Sequence, residues 1–107
     1  MKKKNIVKEK KDFDRAFKLK NQISSKYAFL YTYDTNNCYR FGICVSKKIG
    51  NAVTRNKLKR RIKDIIDKSK LQFHNKDYII VLKKNAVNVQ YFILREDILN
   101  LLNKINE

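Results

Sequence analysis

The chain has 107 residues, 43% of them hydrophobic, and sets 26 Lys and Arg against 10 Asp and Glu for a formal net charge of +16. That length predicts one domain over 1–107 with a modest core, and the charge predicts a polyanionic partner held by counterion release, with a steep dependence on salt. No run reaches the roughly 18 apolar residues of a membrane span and the start lacks the apolar segment of a signal peptide, which predicts a cytoplasmic protein with no membrane partner.

Residues 1–10 are rich in Lys and read as a flexible basic arm drawn toward nucleic acid. Asp12 or a neighbour then opens a short helix that places Phe13 and Phe17 at i and i+4 on one face. Such a pair ordinarily belongs to a core, and its edge can also serve for stacking. The segment before Tyr27 has room for a short extra strand. Tyr27-Ala28-Phe29-Leu30-Tyr31-Thr32-Tyr33 alternates as a strand, with Tyr27, Phe29, Tyr31 and Tyr33 on one side and Ala28, Leu30 and Thr32 on the other. An aromatic row of this kind is either core or, beside abundant Lys and Arg, a platform for unpaired bases. Asp34 to Asn37 supply turn residues. Arg40 to Ser46 return as a second strand directing Phe41, Ile43 and Val45 to the core. Cys38 and Cys44 have no histidine or second cysteine pair near them, which predicts reduced, structural thiols.

The most informative stretch follows. Residues 47–63 hold eight Lys or Arg and no acid. Leu58, Ile62, Ile65 and Ile66 recur at the spacing of one buried helical face, and Gly50-Asn51 reads as a turn and an N-cap. A Lys-rich helix is usually just solvated, but a solvated face mixes signs for i,i+4 pairing, and this one does not. At about 100° per residue, Arg55, Asn56, Lys59 and Lys63 fall on one flank of the apolar stripe. Lys57, Arg61 and Lys68 fall on the other flank and Arg60 near the back, so cations face two surfaces. The helix should run to Lys68 or Leu71.

Asp77 to Leu82 form a nearly continuous apolar run, as in a central strand covered on both sides. Tyr91, Leu94, Ile98, Leu101, Leu102 and Ile105 form the stripe of a last helix beginning near Asn88. The order α-β-β-α-β-α predicts a small α+β sandwich with helices packed on a sheet. No carboxylate cluster has the pattern of a two-metal site, no Gly-rich phosphate loop is present, and His74 lacks an acid or nucleophile partner. The chain therefore reads as a phosphate binder with no catalytic residue and no protein-ligated metal.

Phe41-Gly42-Ile43-Cys44-Val45-Ser46-Lys47-Lys48-Ile49-Gly50-Asn51-Ala52-Val53-Thr54-Arg55-Asn56-Lys57-Leu58-Lys59-Arg60 closely resembles the signature of the bacterial ribonuclease P protein component. The order and spacing of Phe13 and Phe17, the Phe29 to Thr32 strand, the Asp77 to Ile80 strand and the last helix extend the likeness over residues 8–105. The resemblance implies a ribonuclease P protein-like fold with a central mixed sheet and a left-handed βαβ crossover, the arrangement also found in the second domain of one ribosomal small-subunit protein. Most such connections are right-handed, so periodicity would not have suggested it.

As function, the resemblance implies the protein subunit of a ribonuclease P holoenzyme, an endoribonuclease that removes the 5′ leader of precursor tRNA. Its partners would be the ribonuclease P RNA and precursor tRNA, with no obligate protein partner. The RNA, using magnesium, would carry the hydrolysis. Carried over by position, Phe13, Phe17 and Tyr31 correspond to leader-binding aromatics. Arg55, Asn56, Lys59 and Lys63 correspond to helix positions near the leader or the catalytic RNA, and Lys57 and Arg60 to basic positions facing that RNA. Arg61 joins this RNA-binding set, as do Lys47 and Lys48, the basic pair before the turn. Lys57 and Lys63 stand where the family usually has Arg, so the charge is kept while the planar, bidentate fork is lost. The alternative class is a ribosomal or other structural RNA-binding protein with no role in cleavage. A DNA-binding protein is disfavoured by the absence of a helix-turn-helix or heptad pattern.

Overall fold

A computed structural model describes residues 1–106. Its regular elements are helix α1 (Lys10–Leu19), strands β1 (Gln22–Ser24), β2 (Ala28–Asp34) and β3 (Arg40–Cys44), helix α2 (Ala52–Lys68), strand β4 (Lys76–Leu82) and helix α3 (Tyr91–Asn106). The strands form one mixed sheet in the order β1-β2-β4-β3. β2 is antiparallel to both β1 and β4. β3 runs parallel to β4, and α2 makes the crossover between them. This is the expected α+β sandwich, including the short strand before β2.

β4 reads as a continuous apolar run because it sits between β2 and β3 with both faces covered. Tyr78, Ile80 and Leu82 join the main core beneath α2 and α3, together with Leu58, Ile62, Ile65, Leu94, Ile98 and Leu102. Ile79 points the other way, into a smaller cluster with Val7 and Ala16. Phe41 and Val45 enter the main core and Ile43 packs on its edge, as their alternation predicts. α2 starts where the sequence places it: Asn51 is the N-cap, its side-chain Oδ1 accepting from the Thr54 N–H at 2.9 Å.

Three expectations need correction. The segment before α1 is not a free arm, because Lys3–Asn5 form a 3-10 turn and Ile6 bridges in parallel to Phe41 at the sheet edge. Asn5 and Val7 are buried, and Asn5 Nδ2 donates to the Tyr39 carbonyl at 2.6 Å. The apolar Ile6-Val7 pair within a Lys-rich run is what the sheet recruits. The last helix begins at Tyr91 rather than near Asn88, since Lys84–Ala86 first form a 3-10 turn. Tyr27 lies just before β2 and packs against the main core, so it leaves the aromatic row that it shares by alternation.

Candidate nucleic-acid interface

The two faces of the sheet are covered unequally. α2 and α3 seal one, whereas the ten-residue α1 crosses the other and leaves part of it open. Into that opening project the residues of β2 that alternation turns away from the main core. Ala28, Leu30 and Thr32 are buried, while Phe29, Tyr31 and Tyr33 are half-buried. Phe17 meets Tyr31 edge to face with ring centroids 4.9 Å apart, a favoured geometry for an aromatic pair. Phe13 lies over Gly42, where a Cβ would stand 2.5 Å from Phe13 Cε1 and 2.9 Å from Ile79 Cδ1. Only bare backbone at Gly42 leaves room for the ring. Phe13, Phe17 and Tyr31 thus come together, packed with Cys44 and Val81 around Ala16 and Ile79.

The groove continues to α2. Phe13, Ile43 and Val7 line a cavity of about 250 Å³ together with Lys59 and Lys63. The flank that helical geometry assigned to these lysines is therefore the one beside the aromatic rings. Lys59 lies near enough to the Cys44 thiol to draw its pKa down, but burial dominates and pushes it up. That thiol forms no disulfide. Arg55 is half-buried on the same helix, and its Nε is a buried donor with no protein acceptor. Asn56, Lys57 and Arg60 are exposed and Arg61 is half-exposed. Lys47 and Lys48 are exposed in the turn before α2, which buried Ile49 anchors to the core.

Among the described residues, none of the eight cations from Lys47 to Lys63 forms an ion pair with the protein's own acids. The two carboxylates of α2 are engaged elsewhere: Asp64 with Lys68 at 3.3 Å and with the Tyr91 hydroxyl at 2.6 Å, and Asp67 with the Met1 amine at 2.9 Å. Tyr91 and Lys68 hold the Asp64 carboxyl below the usual carboxylate range. The flank carrying Lys57 and Arg61 therefore borders α3, and the flank carrying Lys59 and Lys63 borders the aromatic groove.

Sequence reading missed what holds α1 in place. Arg40, the first residue of β3, donates from Nε and Nη2 to both carboxylate oxygens of Asp77 at 2.8 and 2.6 Å. It also lies 3.6 Å from Asp12 on α1. Asp12 and Asp77 are buried, and the bidentate fork keeps Arg40 firmly charged. Asp12 is one residue from Phe13, so this network sets the position of the aromatic face. The only trace in sequence is a charged residue near the start of each of three elements; their convergence is a tertiary fact. Two cation–ring contacts were also unforeseen. Lys83 Nζ lies 4.5 Å from the Phe29 centroid, and the Arg15 guanidinium lies 5.2 Å from the Tyr33 centroid.

No helix among the described residues is long and apolar enough to cross a membrane. The family model described as Ribonuclease P matches residues 1–106. The ribonuclease P protein component of Bacillus velezensis is 36% identical, over 97% of this chain and 91% of that protein. The Streptococcus thermophilus component is 32% identical, over 95% and 93%. Among solved structures, a mutant of the Staphylococcus aureus RNase P protein superposes with a TM-score of 0.86 at 31% identity, covering 97% of this chain and 89% of that one. The Thermotoga maritima RNase P protein superposes with a TM-score of 0.83 at 28% identity, covering 92% and 94%. The fold, the signature and the match along the chain agree: this chain belongs to the ribonuclease P protein family.

Proposed function

We propose that the chain binds a catalytic RNA and the single-stranded 5′ leader of precursor tRNA, and so assists removal of that leader by a cytoplasmic ribonuclease P. One observation carries this reading: Phe13, Phe17 and Tyr31 share a groove with Lys59 and Lys63, and among the described residues neither lysine has an acidic partner. Rings and cations in one groove suit an unpaired strand, because bases stack on the rings whatever their identity while lysines meet the backbone. That tolerance is what a protein acting on many precursors requires. The exposed Lys57, Arg60, Lys47 and Lys48, with the half-exposed Arg61, suit the phosphates of the catalytic RNA. Arg55 and Asn56 lie between the two sets on the first turns of α2.

In this reading the protein lowers the repulsion between two RNAs and holds the leader, and the RNA performs the hydrolysis. Magnesium would be held by the RNA. Among the described residues, no group of three or more His, Cys, Asp or Glu that could hold a metal ion comes together.

Reconstitution tests the reading. The protein is added to a bacterial ribonuclease P RNA and labelled precursor tRNA at low magnesium, and leader release is followed. Faster release is expected. No change in rate, with binding to the catalytic RNA alone, would move the protein to the class of structural RNA binders.

A further inference from the structure

The basic segment before α1 is pinned along the edge of β3, and two cavities open beside it. Asn5 Nδ2 donates to the Tyr39 carbonyl at 2.6 Å and the Val7 N–H to the Phe41 carbonyl at 2.8 Å. The lysines flanking these two residues are thereby held in place. Lys8 lines the groove cavity of about 250 Å³ with Phe13, Lys59 and Lys63. Lys2 and Lys4 line a second cavity, of about 560 Å³, with Asn5 and Tyr39. Met1 lines both, so the second cavity adjoins the end of the groove.

Neither cavity has a carboxylate in its lining. Lys2, Lys4 and Lys8 are exposed and, among the described residues, form no ion pair. Asp67 meets the Met1 amine at 2.9 Å and lines neither cavity. Beyond Lys4 the sign changes, because Lys4 also borders the cavity beside α1, where Glu9, Asp12 and Asp34 join it. A run of unpaired cations thus starts at Lys59 and Lys63, continues through Lys8 and stops at Lys2 and Lys4. The one ring in the second cavity, Tyr39, already packs on Phe73 and Phe41 with centroids 5.2 and 6.0 Å away. Its hydroxyl has no hydrogen-bond partner among the described residues. A cleft lined by one sign of charge focuses its field, and ammonium groups beside a phenol supply the charge and donors that a phosphate takes.

We infer that the cavity of Lys2, Lys4 and Tyr39 is a phosphate seat: one backbone phosphate of RNA enters it, and the two ammonium groups and the Tyr39 hydroxyl donate to its oxygens whatever base it carries. The inference rests on the RNA-binding reading above and extends that interface from α2 and the sheet face to the edge of β3. The phosphate comes either from the leader, continued past the end of the groove, or from the catalytic RNA. The chemistry of the seat is the same for both.

The test measures binding of the full chain to leader-bearing precursor tRNA and, separately, to a bacterial ribonuclease P RNA, each at several salt concentrations. Lys2→Gln with Lys4→Gln makes the salt slope shallower by about 0.7, the value of one single-strand phosphate. A larger loss with the precursor assigns the phosphate to the leader, and a larger loss with the catalytic RNA assigns it there. As a control, Lys26→Gln with Lys104→Gln removes the same charge from two exposed lysines beside α3 and leaves the slope unchanged. Equal losses with the two RNAs, or an equal change from the control pair, mark an effect of net charge and overturn the seat. Tyr39→Phe keeps the ring and every charge, so it weakens the same RNA about tenfold, the scale of a hydrogen bond to a charged group, at an unaltered slope. An unchanged affinity there overturns the seat as well. If Tyr31→Ala and Lys59→Ala weaken binding while the substitutions at Lys2, Lys4 and Tyr39 change nothing, the RNA-binding reading stands and the seat alone fails. If the wild type binds neither RNA, both fail. Asn5 and Val7, which pin the segment, are left intact, and an unchanged thermal transition verifies that the variants fold.

Discussion

One strand shows how differently the two sides of this molecule are used. Along β2, Ala28 and Leu30 are 0% exposed against the core under α2 and α3, while their neighbours Phe29 and Tyr31 are half-buried beneath α1. Two helices close the first side completely. A single ten-residue helix spans the second, and the uncovered rings beside it become a groove that meets the cationic flank of α2. Along β2 the aromatic side chains face the open side, and Ala28 and Leu30 face the sealed one. Stability and recognition are thereby drawn from alternate residues of the same strand, and substitutions can separate them.

Removing the clamp should have the largest effect. Arg40→Ala leaves Asp77 buried without its partner and should cost about 3–5 kcal/mol, the scale for breaking a buried pair. Urea denaturation measures it, and a loss under 1 kcal/mol, as for an exposed pair, would show the network to be incidental. On the sealed side, Ile80→Ala should cost about 2–5 kcal/mol, yet the folded fraction should bind RNA as before. Weaker RNA binding by that fraction would mean the two sides are coupled. On the open side, Tyr31→Ala should weaken leader-bearing precursor tRNA by about 1–3 kcal/mol, the value of one stacked base, and mature tRNA much less. Equal losses for both ligands would remove Tyr31 from the leader groove.

Two smaller effects sharpen the picture of α2. Arg60→Ala should leave stability unchanged and make the salt slope of RNA binding shallower by about one; an unaltered slope means that Arg60 meets no phosphate. The smallest change is expected for Tyr91→Phe. The Tyr91 hydroxyl is the main cause that lowers the Asp64 pKa, so its loss should move the Asp64 midpoint up toward the ordinary carboxylate value. Because the folded pKa is the depressed one, whatever stability Asp64 adds is present above the unfolded value and fades as pH falls through the folded value. Carbon-detected titration of the carboxyl follows this directly, and an unmoved midpoint would mean that the hydroxyl is not bonded to Asp64 in solution.

Much of this was legible from local pattern. The helical stripe through Leu58, Ile62, Ile65 and Ile66, the Asn51 cap, the alternation of β2 and the double-sided burial of β4 all follow from periods of 3.6 and 2 residues, and the structure reproduces each. The separation of Lys59 and Lys63 from Lys57 and Arg61 is also a consequence of helical pitch alone. Where those flanks face is not. Period says which residues share a side, but not what covers it.

The sequence by itself determined the charge, the elements, the helix that carries the cations and, through its signature, the family. Only the tertiary structure decided that Ile6 and Val7 would dock on the sheet edge, that Arg40 would join Asp12 and Asp77 into a clamp, and that Arg15 would close over Tyr33 beside a cavity of its own. The reason is physical. Backbone geometry imposes its periods within a few residues, whereas an ion pair or a ring contact between distant segments depends on which faces the whole chain buries together.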